Sequence, residues 1–338
     1  MTHRYALAAA AGVLLAVAAG APAAAHGGDD PGATDYRVTV GAVPADLPVT
    51  VRVIRAGTEL ELTNRGSRPV EILGYAGEPW LEVRPDGVYR NTHSPDSPAL
   101  PPDWRRTSTE PVARWHDERT QWNAEGTPAQ AAADPTRQHR LRDWTVPLRV
   151  GATTHPLTGT LDWRPPPQPG GWWAGVLLLA AAVAAGAHLA GRRRAALIAP
   201  VLLVAGPATV GYAAATTIDA GARGVGEVLL GLLGAALWPA LSGVSATVAG
   251  AALLLRRRVN DLVLALTGAA LALFGGLTNA GVSGASVLPA AGPAGLWRAA
   301  VALAAGAGAG VTVAAVLRLR APAAPGPLSR SAPPPGGA

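Results

Sequence analysis

The 338-residue chain holds seven histidines and no cysteine. Cysteine-ligated zinc, iron–sulfur clusters, disulfides and a thiol nucleophile are therefore excluded. Any metal chemistry must rest on imidazole, amine or carboxylate groups. The most suggestive histidine is His26. Residues 1–25 read as a secretory leader, with Arg4 ahead of an apolar run from Ala6 to Ala19, a break at Gly20 and Pro22, and Ala23-Ala24-Ala25 as a cleavage signal. Cleavage after Ala25 would make His26 the first residue. Its α-amine and imidazole would then form a chelate suited to Cu(II), which favours nitrogen donors in tetragonal geometry. Such a chelate needs further ligands. His93 and His116 lie in the part of the chain able to present them, and His139 and His155 share that half. The expected metal ligands are His26, His93 and His116, with copper as the metal. The competing reading is that residues 26–35, with their Gly-Gly-Asp-Asp-Pro-Gly run, are a flexible lead-in.

A second concentration of chemistry spans Arg114-Trp-His-Asp-Glu-Arg-Thr-Gln-Trp122. It could form a ligand surface. The reading favoured here is a strand edge or turn whose ion pairs are covered by tryptophans. No P-loop, HExxH or GxSxG pattern occurs, and no Ser–His spacing marks a nucleophile and base. No enzymatic role is expected.

These residues must be positioned by elements of two kinds, and charge separates them. All 28 basic residues are arginine, against 22 acidic ones. Residues 1–170 hold 17 Arg and 19 acidic residues, whereas 171–338 hold 11 Arg and only Asp219, Glu227 and Asp261. The basic excess sits among long apolar runs. That pattern argues for membrane topology and against nucleic-acid binding. Five spans are expected, near 173–190, 195–215, within 226–255, 261–282 and 296–317. The run 226–255 is too long for one perpendicular span, and Trp238-Pro239 should divide it into a lead-in and a span. A leader that is removed would place the following domain outside. Five spans then bring the arginine clusters at 192–194, 256–258 and 318–320 to the cytoplasmic side, whereas six would not. Trp172 and Trp173 mark the start of an outer aromatic belt, and 321–338 reads as a disordered cytoplasmic tail.

Residues 36–164 alternate with the period of strands. The segments 36–40, 49–54, 58–63, 70–73, 80–83, 87–89, 143–150 and 157–163 all qualify, with turn signals at Asn64-Arg-Gly and Pro85-Asp-Gly. Residues 91–140 read as a long irregular excursion, which in a compact domain is functional or disordered. Residues 165–172 form the linker to the membrane domain, 173–320.

The stretch Val70-Glu-Ile-Leu-Gly-Tyr-Ala-Gly-Glu-Pro-Trp-Leu-Glu-Val-Arg-Pro-Asp-Gly-Val-Tyr-Arg-Asn-Thr-His-Ser-Pro95 resembles a signature of uncharacterised actinobacterial membrane proteins. In these a signal peptide and a β-rich outer domain precede several spans. The resemblance implies a Trp-x-Asp-His-Arg-x-His pattern at 115–121. Trp115, Asp117 and Arg119 match it, while Glu118 and Gln121 stand where its histidines would be. The resemblance thus implies architecture and weakens a metal site carried over from that pattern.

The expectation is a multidomain chain: an extracytoplasmic all-β sandwich of immunoglobulin-like type, followed by an α-helical bundle of about five spans. Its expected role is a plasma-membrane binding or assembly module facing the cell surface. Its partners would be the lipid bilayer and an envelope protein or ligand that the sequence does not identify. A copper-handling envelope protein and a small multi-pass transporter are the alternatives.

Overall fold

The structure is a computed structural model that describes residues 32–97 and 99–321. The leader expected over 1–25, His26 and the tail after 321 lie outside the described residues. The chain forms two compact units. The first contains the described residues up to Trp172 together with Gly211–Leu237 and Thr278–Val301. The second contains Trp173–Val210, Trp238–Leu277 and the residues from Ala302 onward.

The first unit is built on ten strands: β1 Tyr36–Val40, β2 Val49–Ile54, β3 Glu59–Asn64, β4 Val70–Leu73, β5 Pro79–Arg84, β6 Gly87–Asn91, β7 Trp104–Ser108, β8 Val112–His116, β9 His139–Val150 and β10 Thr153–Trp163. They form two antiparallel sheets. One has seven strands in the order β1-β10-β9-β4-β5-β6-β7, and the other has three in the order β2-β3-β8. The immunoglobulin constant-type arrangement places four strands against three. Strict alternation explains why these segments pair as they do. Along β9, Trp144, Val146, Leu148 and Val150 are buried and the residues between them are more exposed. They meet Leu60, Leu62, Ala113 and Trp115 of the small sheet in one core. Gly159 pairs with Trp144 across β9 and β10. A Cβ at 159 would overlap the indole, so the glycine is what lets the tryptophan into the core.

Each segment read as a strand from the sequence is one. The excursion 91–140 is a correction, since it contains β7, β8 and a one-turn helix α1, Ala129–Ala133. The reason is visible in β7, Trp-Arg-Arg-Thr-Ser. It is the edge strand of the large sheet, so its side chains are polar and largely exposed, and the period-2 apolar signal is missing.

Five helices are long and apolar enough to cross a membrane. They are α2 Pro169–Leu189, α3 Arg194–Asp219, α5 Leu237–Leu254, the segment that starts as α6 Asp261–Ala270 and continues as π and 3₁₀ turns to Ser283, and α7 Ala294–Leu319. This pattern fits a multi-pass membrane protein. The long run after 225 is interrupted, as its length requires. A nine-residue helix α4, Val225–Leu233, ends at Gly234 before α5 begins. The break falls slightly earlier than Trp238-Pro239. Pro239 instead lies in the first turn of α5, where no intrahelical N–H is lost.

Within the second unit the helices pack through small residues. Ala199, Ala205, Ala246, Ala304 and Ala307 are buried in one cluster. Glycine spacing of the Gly306–Gly310 kind is uninformative in a chain so rich in glycine, yet here it sets a contact. Cβ atoms at 306 and 310 would come within 2.9 Å of the Val176 carbonyl oxygen and 2.7 Å of the Ala180 carbonyl oxygen. The two glycines therefore let α7 approach the backbone of α2 closely. At one end of this unit Asp261 pairs with Arg194, and with Arg318 at 3.5 Å. Residues from two arginine clusters thus converge on the start of α6.

Candidate functional site

The densest polar arrangement in the first unit is centred on Glu61. Strand alternation places Leu60 and Leu62 in the core and Glu61 on the opposite face of β3. Such a glutamate should face water, but it is 1% exposed. Registers explain its immediate neighbours. Arg52 on β2 and Arg114 on β8 are its direct cross-strand partners. Arg52 Nε donates to Glu61 Oε1, and Arg114 Nε donates to Oε2 at 2.8 Å. Oppositely charged residues facing each other across strands are favourable pairs.

What buries the carboxylate is the turn after α3. Arg223 Nη2 donates to Glu61 Oε1 at 2.6 Å and to Thr63 Oγ1 at 2.5 Å. The same turn offers the Gly221 carbonyl, which accepts from Arg52 Nη2 at 2.9 Å and from Arg114 Nη2 at 3.0 Å. Gly221 has φ +106°, and a Cβ there would lie 3.0 Å from the Arg114 guanidinium carbon. Glycine is needed for both backbone and space. Glu227 fixes the turn from the other side by accepting from the Arg223 backbone N–H at 2.9 Å.

Burial alone would push the Glu61 carboxyl above its ordinary value. Hydrogen bonds from Arg52, Arg223 and Arg114 outweigh that and lower it to about 2. The group is a permanent carboxylate at the hub of three guanidiniums. Nothing in this arrangement resembles a proton-transfer site, because every oxygen is committed to a cation.

A second contact adjoins it. The β2–β3 turn runs through Arg55, Ala56 and Gly57, all with positive φ, at 53°, 55° and 100°. Alanine in the left-handed region is strained, and such turns prefer asparagine or glycine. Asp219 Oδ2 accepts from the Ala56 backbone N–H at 2.8 Å. The carboxylate at the end of α3 therefore holds a turn that its own residues disfavour. Farther along the unit, Thr34 and Val287 form an antiparallel bridge. Asp35 also accepts from the Ser286 N–H at 2.9 Å.

The histidines are dispersed through the fold. His93 follows β6, with Nδ1 2.7 Å from the Pro101 carbonyl oxygen. His116 ends β8, with Nδ1 2.8 Å from the Thr58 carbonyl oxygen. A carbonyl only accepts, so in each ring Nδ1 carries the proton and Nε2 is left as the basic nitrogen. Among the described residues no three His, Asp or Glu side chains stand together as a metal site. His26, the residue on which the chelate depends, is outside the described residues.

The 114–122 stretch is a strand end and an ion-paired turn, with Tyr75 rather than a tryptophan over its arginine. Asp117, 1% exposed, accepts from Trp115 Nε1 at 3.1 Å and from Arg119 Nε and Nη2, each at 2.8 Å. It also caps the following turn by accepting from the Arg119 N–H. Arg119 lies 4.8 Å from the centre of the Tyr75 ring, and Trp122 stacks on Tyr36. Gln121 donates to the Gly57 carbonyl at 2.7 Å. Trp115, Asp117 and Arg119 satisfy one another and lock the end of β8 in place.

Sequence reading did not single out Glu61, the partner of Arg223. Its one sequence signal is a glutamate centred in an alternating strand, and that signal normally means a solvated face. No protein-family model, curated protein or solved structure matches the chain.

Proposed function

We propose that this protein is a plasma-membrane binding or assembly module whose β-domain lies outside the cell, with the outer face of its small sheet clasped by the turn at 221–223. The observation that carries this reading is the Glu61 hub. Here Arg223 and Gly221, from the turn between α3 and α4, clasp the outer face of the small sheet. Asp219 clasps its hairpin turn in addition. The committed oxygens of Glu61 and Asp117 support a non-catalytic role.

The orientation rests on charge. Arg194 and Arg318 converge on Asp261, so these ends of the spans belong on one side, and arginine-rich ends face the cytoplasm. Arg194 begins the 26-residue helix α3 and Asp219 ends it.

Single cysteines test this cleanly, because the chain has none of its own. Cysteine at Glu125 should react with an impermeant maleimide in intact cells, and cysteine at Arg257 only after permeabilisation. The reverse pattern would end the topology. For the binding role, a photo-crosslinker is attached in turn at Ser67, Thr92 and Glu125 in living cells. A discrete adduct from one face is expected. Absence of adducts at every position, together with solute flux in proteoliposomes, would favour transport instead.

A further inference from the structure

We infer that the edge of the large sheet at β6 and β7 holds a binding site for a phosphate ester on a hydroxylated body, such as a polyol phosphate. The proposal deepens the binding-module reading and rests on it.

The site begins with a mismatch in sheet width. Seven strands at a spacing of about 4.8 Å span roughly twice the width that three can cover. The inner face of β5 and β6 carries Leu81, Val83 and Val88 into the core. Directly opposed residues share a face. Arg90 opposes Leu81, and Arg105 on β7 opposes Arg90. The side of the sheet that is apolar elsewhere therefore ends in two arginines. They line an open cavity of about 400 Å³ with Thr92, Ser94, Pro95, Asp96 and Thr107.

Like charges directly opposed across strands are unfavourable. Among the arginines of this domain, Arg84 pairs with Glu82, Arg140 with Asp162, and Arg149 with Glu71. The side chains of Arg90 and Arg105 make no hydrogen bond or ion pair among the described residues. An anion between them would remove the repulsion and use both forks. A tetrahedral phosphate presents oxygens in several directions and can engage two guanidiniums at once. A planar carboxylate matches one fork.

The cavity wall selects the rest of the ligand. Thr92 Oγ1 donates to Asp103, Ser94 Oγ to Glu78, and Thr107 Oγ1 to the Val88 carbonyl, at 2.7, 2.7 and 3.2 Å. With those protons committed, the hydroxyl oxygens can only accept. Asp96 adds a carboxylate acceptor without a partner among the described residues. Two cationic donors beside a group of acceptors complement a phosphate carried on a body rich in hydroxyl donors. Inorganic phosphate alone would use only half of the site. The wall is also held in place in advance. Buried Asn91 accepts from the His93 and Asp103 N–H groups and donates to the Pro79 carbonyl. Ser94 is tied to Glu78, which is also buried.

The test uses the full chain in phosphatidylcholine nanodiscs, titrated calorimetrically with glycerol 3-phosphate, inorganic phosphate and glycerol. Saturable binding of glycerol 3-phosphate is expected, tighter than inorganic phosphate, with none for glycerol. Arg90→Gln and Arg105→Gln should each weaken it at least tenfold, and Arg65→Gln, in the β3–β4 turn, should not. All three positions are exposed, and unchanged thermal unfolding confirms that the variants fold. Repeating the titration with phosphatidylglycerol in the disc separates the sources. Competition identifies a lipid headgroup as the ligand, and its absence identifies a free or polymer-borne ester. No saturable binding to the wild type, or equal binding by the double variant, overturns the proposal. The crosslinking test of the binding-module reading stands apart from this result, because it detects a partner of any chemistry.

Discussion

Arg52 and Arg114 on the small sheet and Arg90 and Arg105 on the large one are similar material placed in different surroundings. The first two flank a glutamate on the strand between them and share a backbone carbonyl with each other. The second two face one another directly, with no acidic residue between. The difference shows how to tell a structural arginine cluster from a binding one. Where the counter-charge lies within the chain, the cluster closes and becomes a fastener. Where it is missing, the cluster stays open to solvent, free to be answered by water or by the anion proposed above. The opposed residue decides which happens. Arg52 and Arg114 each oppose Glu61 on the strand between them, whereas Arg90 and Arg105 oppose one another.

The largest expected effect comes from removing the hub carboxylate. Glu61→Gln leaves three guanidiniums without their counter-charge and should cost about 3 kcal/mol of stability, at the low end for breaking buried pairs because the arginines are partly exposed. Thermal unfolding of the full chain in nanodiscs would measure it. An unchanged midpoint would mean that the clasp is not holding the domain.

Acid should reproduce part of that loss. The folded-state pKa of Glu61, about 2, lies below the ordinary value of 4.5. A depressed carboxylate stabilises fully above the unfolded value and loses that contribution as pH falls through the folded one. The clasp should therefore be intact at pH 5 and above, and weaken progressively between about pH 4.5 and 2. The measurement is the unfolding midpoint against pH for wild type and Glu61→Gln. The two curves should converge toward pH 2, and parallel curves would remove Glu61 from the account.

A smaller gain is expected at the strained turn. Ala56→Gly places a residue tolerant of φ near 55° where alanine is strained, and should raise stability by about 0.5–1 kcal/mol. Asp219→Ala should act in the opposite direction, because it leaves the Ala56 N–H without its acceptor. If both substitutions are neutral, the turn is not under strain.

The smallest stability effect has the sharpest consequence for function. Arg105→Glu converts the open pair into a copy of the Arg52–Glu61 pairing. It should add about 0.5 kcal/mol by replacing cross-strand repulsion with attraction, and it should abolish phosphate-ester binding. Binding that survives this change would show that the edge arginines are merely solvated.

Much of the architecture was legible in the residues. Period-2 alternation located eight of the strands, because one face of each is apolar enough to show it. The five spans were visible from length and from arginine punctuation, and the length limit on a span required the break between α4 and α5. β7 was not legible, since a strand with exposed polar side chains has no pattern to read, and β8, whose Ala113 and Trp115 do alternate inward, was hidden among the charges of the 114–122 stretch. Glu61 was hidden for a related reason. Alternation assigned it to the outer face, and no local rule says that an outer face will be covered by a turn some 160 residues away.

The sequence alone determined which segments alternate, which are apolar enough to span, and that no thiol chemistry is available. These properties follow from composition and short-range periodicity. Tertiary structure decided which charges are neutralised and which are not. An arginine's state depends on the partner that folding brings within hydrogen-bond reach, and that partner is set by strand register and turn geometry. Arg52 and Arg90 look alike along the chain. One meets a buried glutamate and the other meets a second arginine, because the strands beside them carry different residues at the opposed position.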